Sequence, residues 1–148
     1  AAATGAKHAG PRAPDFTVAV LGAPGQRITL DRQYNDQPVI VNFWASWCAP
    51  CQKETPLLAR WHDRHRAVNL IGLDENDNAA SALKFAKAKG VTYPLGSDPR
   101  VRVAESYGVA AAGIPQTFFL NARHQIVDHV YGALTTAGLA RGLRLMRA

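Results

Sequence analysis

The chain has 148 residues, 47% of them hydrophobic and 19% charged, with a formal net charge of +6. That is one domain's worth of chain, apolar enough for a proper core and too weakly charged for a disordered segment. Two cysteines are too few for a disulfide framework or a four-cysteine zinc site, and no stretch is apolar for long enough to span a bilayer.

Residues 1–13 are small, polar and contain Pro and Gly, and read as a flexible leader ahead of a domain over 14–148. The chain opens Ala-Ala-Ala-Thr-Gly-Ala without an initiator Met, so a signal peptide or membrane anchor is expected upstream. Residues 15–20 alternate as a short strand, 22–25 make a turn, and 27–30 pair back as a hairpin. After a turn over 35–38 comes a continuous β-branched and aromatic run, Val39, Ile40, Val41, Asn42, Phe43, Trp44 and Ala45. Such a run is the pattern of a central strand buried on both faces. It leads through Ser46 and Trp47 into Cys48-Ala49-Pro50-Cys51. Helical spacing follows, with Leu57, Leu58, Trp61 and His65 on related faces and Pro56 expected to kink the helix.

Residues 68–73 form a second buried strand. Residues 79–89 form an amphipathic helix stopped by Gly90, with Leu83, Phe85 and Ala86 inward and Lys84, Lys87 and Lys89 outward. Residues 91–95 are short and extended, and Pro99 opens a helix through Tyr107 that Gly108 ends. Residues 116–120 and 125–131 are strands joined as a hairpin across 121–124, and 135–146 is a closing helix. From residue 38 the order is β-α-β-α-(short β)-α-β-β-α, an α/β chain with a parallel set of strands and an antiparallel edge.

Two cysteines in C-x-x-C spacing at a strand-to-helix junction can close a small disulfide ring. The first lies at the helix start, where free N–H groups and the positive end of the dipole favour a thiolate, the reactive form. Helical geometry turns Cys51 inward. This asymmetry predicts that Cys48 attacks a substrate disulfide and that Cys51 then displaces the substrate, or the reverse sequence in oxidation. The competing readings are a metal-ligand pair or two inert core thiols. His62 and His65 are the one close pair of histidines and are expected on the surface end of the helix, so no metal is assigned.

Glu54 lies three residues after Cys51, on the same helix face. There it can take the Cys51 proton if burial raises its pKa, or it is an ordinary first-turn surface carboxylate. Asn42, inside the apolar strand, needs hydrogen-bond partners and cannot titrate, which raises the rank of Glu54 in any proton relay. Trp44 is assigned to the core, and Trp47 to an apolar lip against substrate together with Pro50. Further on, Pro115 is an odd start for a central strand. A cis bond there would expose the Ile114 backbone to pair with an extended substrate chain; a trans bond is the commoner state.

The segment V-I-V-N-F-W-A-S-W-C-A-P-C-Q-K-E-T-P at 39–56 and G-I-P-Q-T-F at 113–118 resemble the active-site motif and cis-proline loop of thioredoxin-like proteins. The resemblance is to the extracytoplasmic TlpA/ResA/DsbE (CcmG) group and covers residues 14–147. It implies a thioredoxin-like fold, a central mixed β-sheet flanked by helices with an N-terminal β-hairpin extension and a central insertion. It implies Cys48 as nucleophile, Cys51 as resolving thiol, Pro115 cis and facing the disulfide, and Glu54 as the group's acidic residue. Gln116 departs from the Thr or small residue of many relatives.

The implied activity is protein disulfide exchange outside the cytoplasm, in a periplasmic, secreted or membrane-tethered protein that reduces apocytochrome c or other exported chains. No cofactor is implied beyond the redox-active cysteine pair. A membrane-embedded electron-transfer partner is expected, and a monomer. Nucleic acid is not expected, because no basic run is interleaved with exposed aromatics. The rival readings are an oxidant for folding secreted proteins, a peroxidase and a copper-delivery protein.

Overall fold

The structure, a computed structural model, describes residues 10–110 and 113–148. The apolar run after residue 38 becomes β3 (Val39–Trp44), with all six residues buried. It lies between β4 (Asn69–Glu75), which it pairs in parallel, and β6 (Gln116–Leu120), which runs against it. With β1 (Thr17–Val20), β2 (Ala23–Thr29), β5 (Leu95–Asp98) and β7 (Ile126–Tyr131) these make one sheet in the order β2-β1-β5-β4-β3-β6-β7. The parallel set is β3, β4 and β5. The N-terminal hairpin adds antiparallel to β5 at one edge, and β7 closes the other. The helices are α1 (Leu30–Gln33), α2 (Ala49–Asp63), α3 (Ala79–Ala88), α4 (Arg102–Ser106) and α5 (Thr136–Met146).

Strand alternation divides the core. Ile40, Leu70 and Phe119 pack with Leu58 and Trp61 of α2 and Leu139 and Met146 of α5. Val41, Phe43, Ile71, Leu73 and Phe118 pack with the hairpin's Val18 and Ile28, with Val103 and Ala104 of α4, and with Tyr107. Helix α5 comes so close to β6 that a Cβ on Gly142 would collide with the Phe119 ring. At the β6–β7 turn His124 is buried at a φ of 58°. Its ring nitrogens lie 2.8 Å from Asp31 Oδ1 and 2.9 Å from the Tyr34 carbonyl, tying this turn to α1.

Several expectations change. The last four residues of the expected leader are tied down: Gly10 N–H donates to the Ile126 carbonyl at 2.8 Å, Arg12 bridges to Gln125, and Ala13 N–H donates to the His124 carbonyl at 2.7 Å. Residues 1–9 lie outside the described residues. The hairpin turn is Leu21 and Gly22, with Gly22 at a φ of 80°, so β2 begins where a turn was expected. Leu30 opens α1 instead of ending a strand.

In α3 the inward residues are Ala82 and Ala86; Leu83 is exposed, and Phe85 stacks on Trp44 with centroids 5.5 Å apart. The extended segment expected at 91–95 begins as β5 only at Leu95. Helix α4 starts at Arg102, not Pro99, because buried Asp98 accepts from Val103 N–H at 3.2 Å and Ala104 N–H at 3.0 Å. His62 is buried edge-on to Tyr93, whereas His65 stacks on Trp61, so the pair does not converge.

Candidate active site

The end of β3 delivers the chain to the start of α2, and Cys48 is the N-cap of that helix. Cys48 and Cys51 are joined as a disulfide, with Cα atoms 5.2 Å apart. Cys51 N–H points at Cys48 Sγ from 3.3 Å, satisfying one of the free donors of the first turn. Cys48 is 4% exposed and Cys51 0%, so Cys48 is the more accessible of the two.

Across the disulfide lies the loop before β6. The Ile114–Pro115 peptide bond is cis, and the Ile114 carbonyl is 3.7 Å from Cys48 Sγ. Ile114 and Pro115 are buried, while Pro50 is exposed at the start of α2. Trp47 is 51% exposed and is held by its indole N–H, which donates to the Asn76 carbonyl at 3.0 Å.

Glu54 lies beneath this site, 1% exposed. Leu134 N–H donates to Oε1 at 2.8 Å, and Asn42 Nδ2 donates to Oε2 at 3.2 Å and to Thr117 Oγ1 at 2.9 Å. Burial outweighs these two donors and pushes the carboxyl up to about 7. The reading of Glu54 as an ordinary surface carboxylate therefore fails, and Asn42 has its partners.

Two features were not found in the sequence. Asp77, just after β4, accepts from Ser46 N–H at 2.7 Å and Ser46 Oγ–H at 2.8 Å, so the insertion holds the segment preceding Cys48. Beside it, burial and the neighbouring Asp77 push Asp74 up to about 9, and burial with Asp98 pushes Glu75 up to about 10. The second is a side-chain chain on the other flank: Gln116 Nε2 donates to the Gly113 carbonyl at 3.0 Å, and His129 Nε2 lies 2.7 Å from Gln116 Oε1. The acids at 74–77 directly after an apolar strand were the available signal for the first.

Residues 9–129 match the AhpC/TSA family. The chain belongs to that family. Among its AhpC/TSA relatives is the thiol–disulfide oxidoreductase ResA of Bacillus subtilis, 29% identical over 140 residues, covering 93% of this chain and 75% of that protein. ResA of Geobacillus thermodenitrificans is 26% identical over 93% of this chain and 78% of its own. The crystal structure of a secreted thiol–disulfide isomerase from Corynebacterium glutamicum superposes with a TM-score of 0.81 at 30% identity, covering 90% of this chain and 84% of that one. The fold is thioredoxin-like, and a bridged C-x-x-C on it makes the chain a thiol–disulfide oxidoreductase.

Proposed function

We propose that the protein is an extracytoplasmic reductant of protein disulfides, acting on exported chains such as apocytochrome c and recharged by a membrane-embedded dithiol partner. The direction of electron flow is carried by the surroundings of Cys48 Sγ. Of the first-turn donors only Cys51 N–H reaches it, and Pro50 has no N–H to give. No lysine, arginine or histidine hydrogen-bonds it among the described residues, and the Ile114 carbonyl faces it at 3.7 Å. A carbonyl accepts from a thiol and repels a thiolate. Strongly oxidising members of this fold owe their potential to a stabilised reduced form. Here no cationic side chain adds to what the helix start supplies, and the Ile114 carbonyl opposes it, which favours a pair that gives its electrons away. Similarity to a secreted thiol–disulfide isomerase supports the location.

In the forward reaction Cys48 thiolate attacks one substrate sulfur, forming a mixed disulfide, and the other leaves as a thiolate that takes up a proton. Cys51 loses its proton, attacks Cys48 Sγ and expels the second substrate thiolate. The substrate gains two electrons and two protons, and the protein ends as the disulfide. Glu54 is placed to receive the Cys51 proton. In an oxidising compartment the dithiol must be restored by an outside donor, which is the part of the membrane partner.

Equilibration with glutathione tests the direction. The expected potential lies nearer the roughly −270 mV of thioredoxin than the roughly −120 mV of the strongest oxidants; a value at the latter end would make this chain a disulfide donor. Cys51→Ala, in its thiol form, should accumulate a mixed disulfide with an oxidised haem-site peptide whose two cysteines are bridged, and Cys48→Ala should accumulate none. Trapping by Cys48→Ala instead would reverse the two roles.

A further inference from the structure

A groove of about 400 Å3 lies between the last turn of α2 and helix α5. Arg64 lines it from the α2 side and Arg144 and Arg147 from the α5 side, and no acidic residue lines it. Its apolar lining is Leu143 and the Trp61 ring, on which His65 stacks with centroids 4.2 Å apart. None of the three arginines forms an ion pair among the described residues. Asp63, the nearest acid along the chain, is taken by Arg66 at 3.1 Å.

The helix ends account for part of this charge. Arg64 and Arg147 cap α2 and α5, and Arg144 lies in the last turn of α5. A helix C-terminus carries about half a negative charge, so the two ends offset about one of the three guanidinium charges. The remainder is left for an anion from outside. A second groove, of about 370 Å3, also gathers three arginines, Arg27, Arg100 and Arg102, but there Asp98 lines the groove with them.

Beside Arg147 the first groove adjoins a recess of about 150 Å3, walled by Pro38, Val68 and Met146 and sharing Leu143 and Arg147 with it. Guanidinium forks match the oxygens of a phosphate, and an apolar recess next to them matches an apolar body attached to that phosphate. A bare phosphate or a run of carboxylates would use the arginines and leave Leu143 and the recess in water. We propose that this groove holds the headgroup phosphate of an anionic phospholipid, with the glycerol and the start of the acyl chains against Leu143 and Met146. The net charge of +6 draws the protein toward such a surface. Cys48 sits at the other end of the 15-residue helix α2, roughly 22 Å away, so a lipid bound here leaves the disulfide uncovered. The site stands whichever way the disulfide exchanges electrons.

Sedimentation with vesicles of phosphatidylcholine, with and without phosphatidylglycerol, tests the site. The wild-type protein should bind the vesicles that contain phosphatidylglycerol and not the others. Arg144→Gln combined with Arg147→Gln should weaken that binding roughly twentyfold or more, near fivefold for each arginine lost at an anionic surface. Arg27→Gln combined with Arg100→Gln removes the same charge from the second groove and should weaken it less than about fivefold. Equal losses in the two variants would mean diffuse attraction and overturn the site. Both variants should exchange with glutathione at the wild-type rate, since neither groove touches the disulfide. Independently of any variant, soluble dihexanoyl phosphatidylglycerol should move the backbone amide resonances of Arg64, His65 and Leu143 in the wild-type protein. Inorganic phosphate or an oligoglutamate peptide at the same concentration should move them little. The same shifts with either soluble anion, or none with the lipid, would overturn the lipid assignment.

Discussion

Glu54 shows how one side chain's role depends on what the rest of the chain puts around it. Its position three residues after Cys51 was legible as a possible proton acceptor, but the spacing left open whether it faced water. The answer comes from Asn42 on β3 and from the Leu134 backbone, 80 residues further along, which no local pattern reports. With its carboxyl pushed up to about 7 by burial, Glu54 is half ionised at neutral pH, where a general base for a thiol works best. Resolution by Cys51 in the wild-type protein should therefore accelerate as pH rises through about 7. Glu54→Gln should remove that rise and slow resolution by roughly tenfold or more, read as persistence of the mixed disulfide in stopped-flow quench. An identical pH profile in the variant would reduce Glu54 to a packing group.

At the level of elements, the cysteine pair was readable because strand, junction and helix are adjacent in sequence. The packing of the insertion was not. Strand β5 reads Leu-Gly-Ser-Asp, residue types poor in strands, and forms because Gly96 lets Val18 and Leu73 close over it and Gly72 N–H bonds to Pro94 just before it. Helix α3 looked as if it buried Leu83, yet two alanines face the sheet and allow the close approach that brings Phe85 onto Trp44. The consequence for the site is that the β4–α3 turn clamps the segment ahead of Cys48 through Asp77 and Asn76. Asp77→Ala removes both acceptors from Ser46 and should lower unfolding free energy by about 1–3 kcal/mol. Asp77→Asn keeps one acceptor oxygen and should recover part of the loss. Urea melts of the oxidised proteins report both; equal stability of all three would show that the clamp carries no load.

For the molecule as a whole, three buried carboxyls set the response to pH. Glu54, Asp74 and Glu75 are raised to about 7, 9 and 10, each chiefly by burial. The folded protein therefore holds protons that the unfolded chain has released once pH passes the ordinary carboxyl range. Stability must fall as pH rises from there toward each folded value. Asp31 and Asp77 work in the opposite sense. Their pKa values are lowered, despite burial, by His124 and Arg12 in one case and by Asp74 and Ser46 in the other. Their contribution is present above the ordinary range and lost in strong acid. The pKa values of His62 and His129 are lowered by burial, which costs stability below the ordinary imidazole value, so the maximum lies between the ordinary carboxyl and imidazole values. For Glu54 alone, a rise from 4.5 to about 7 corresponds to something on the order of 3 kcal/mol across that interval. Urea midpoints of the oxidised protein should accordingly be higher at about pH 6.5 than at about pH 8.5. Glu54→Gln should flatten the part of the curve below 7, while leaving the decline toward 9 and 10 that belongs to Asp74 and Glu75. A stability that climbs between those two pH values would mean that the buried acids are ionised in the folded state, and with that the proton held at Glu54 would be gone.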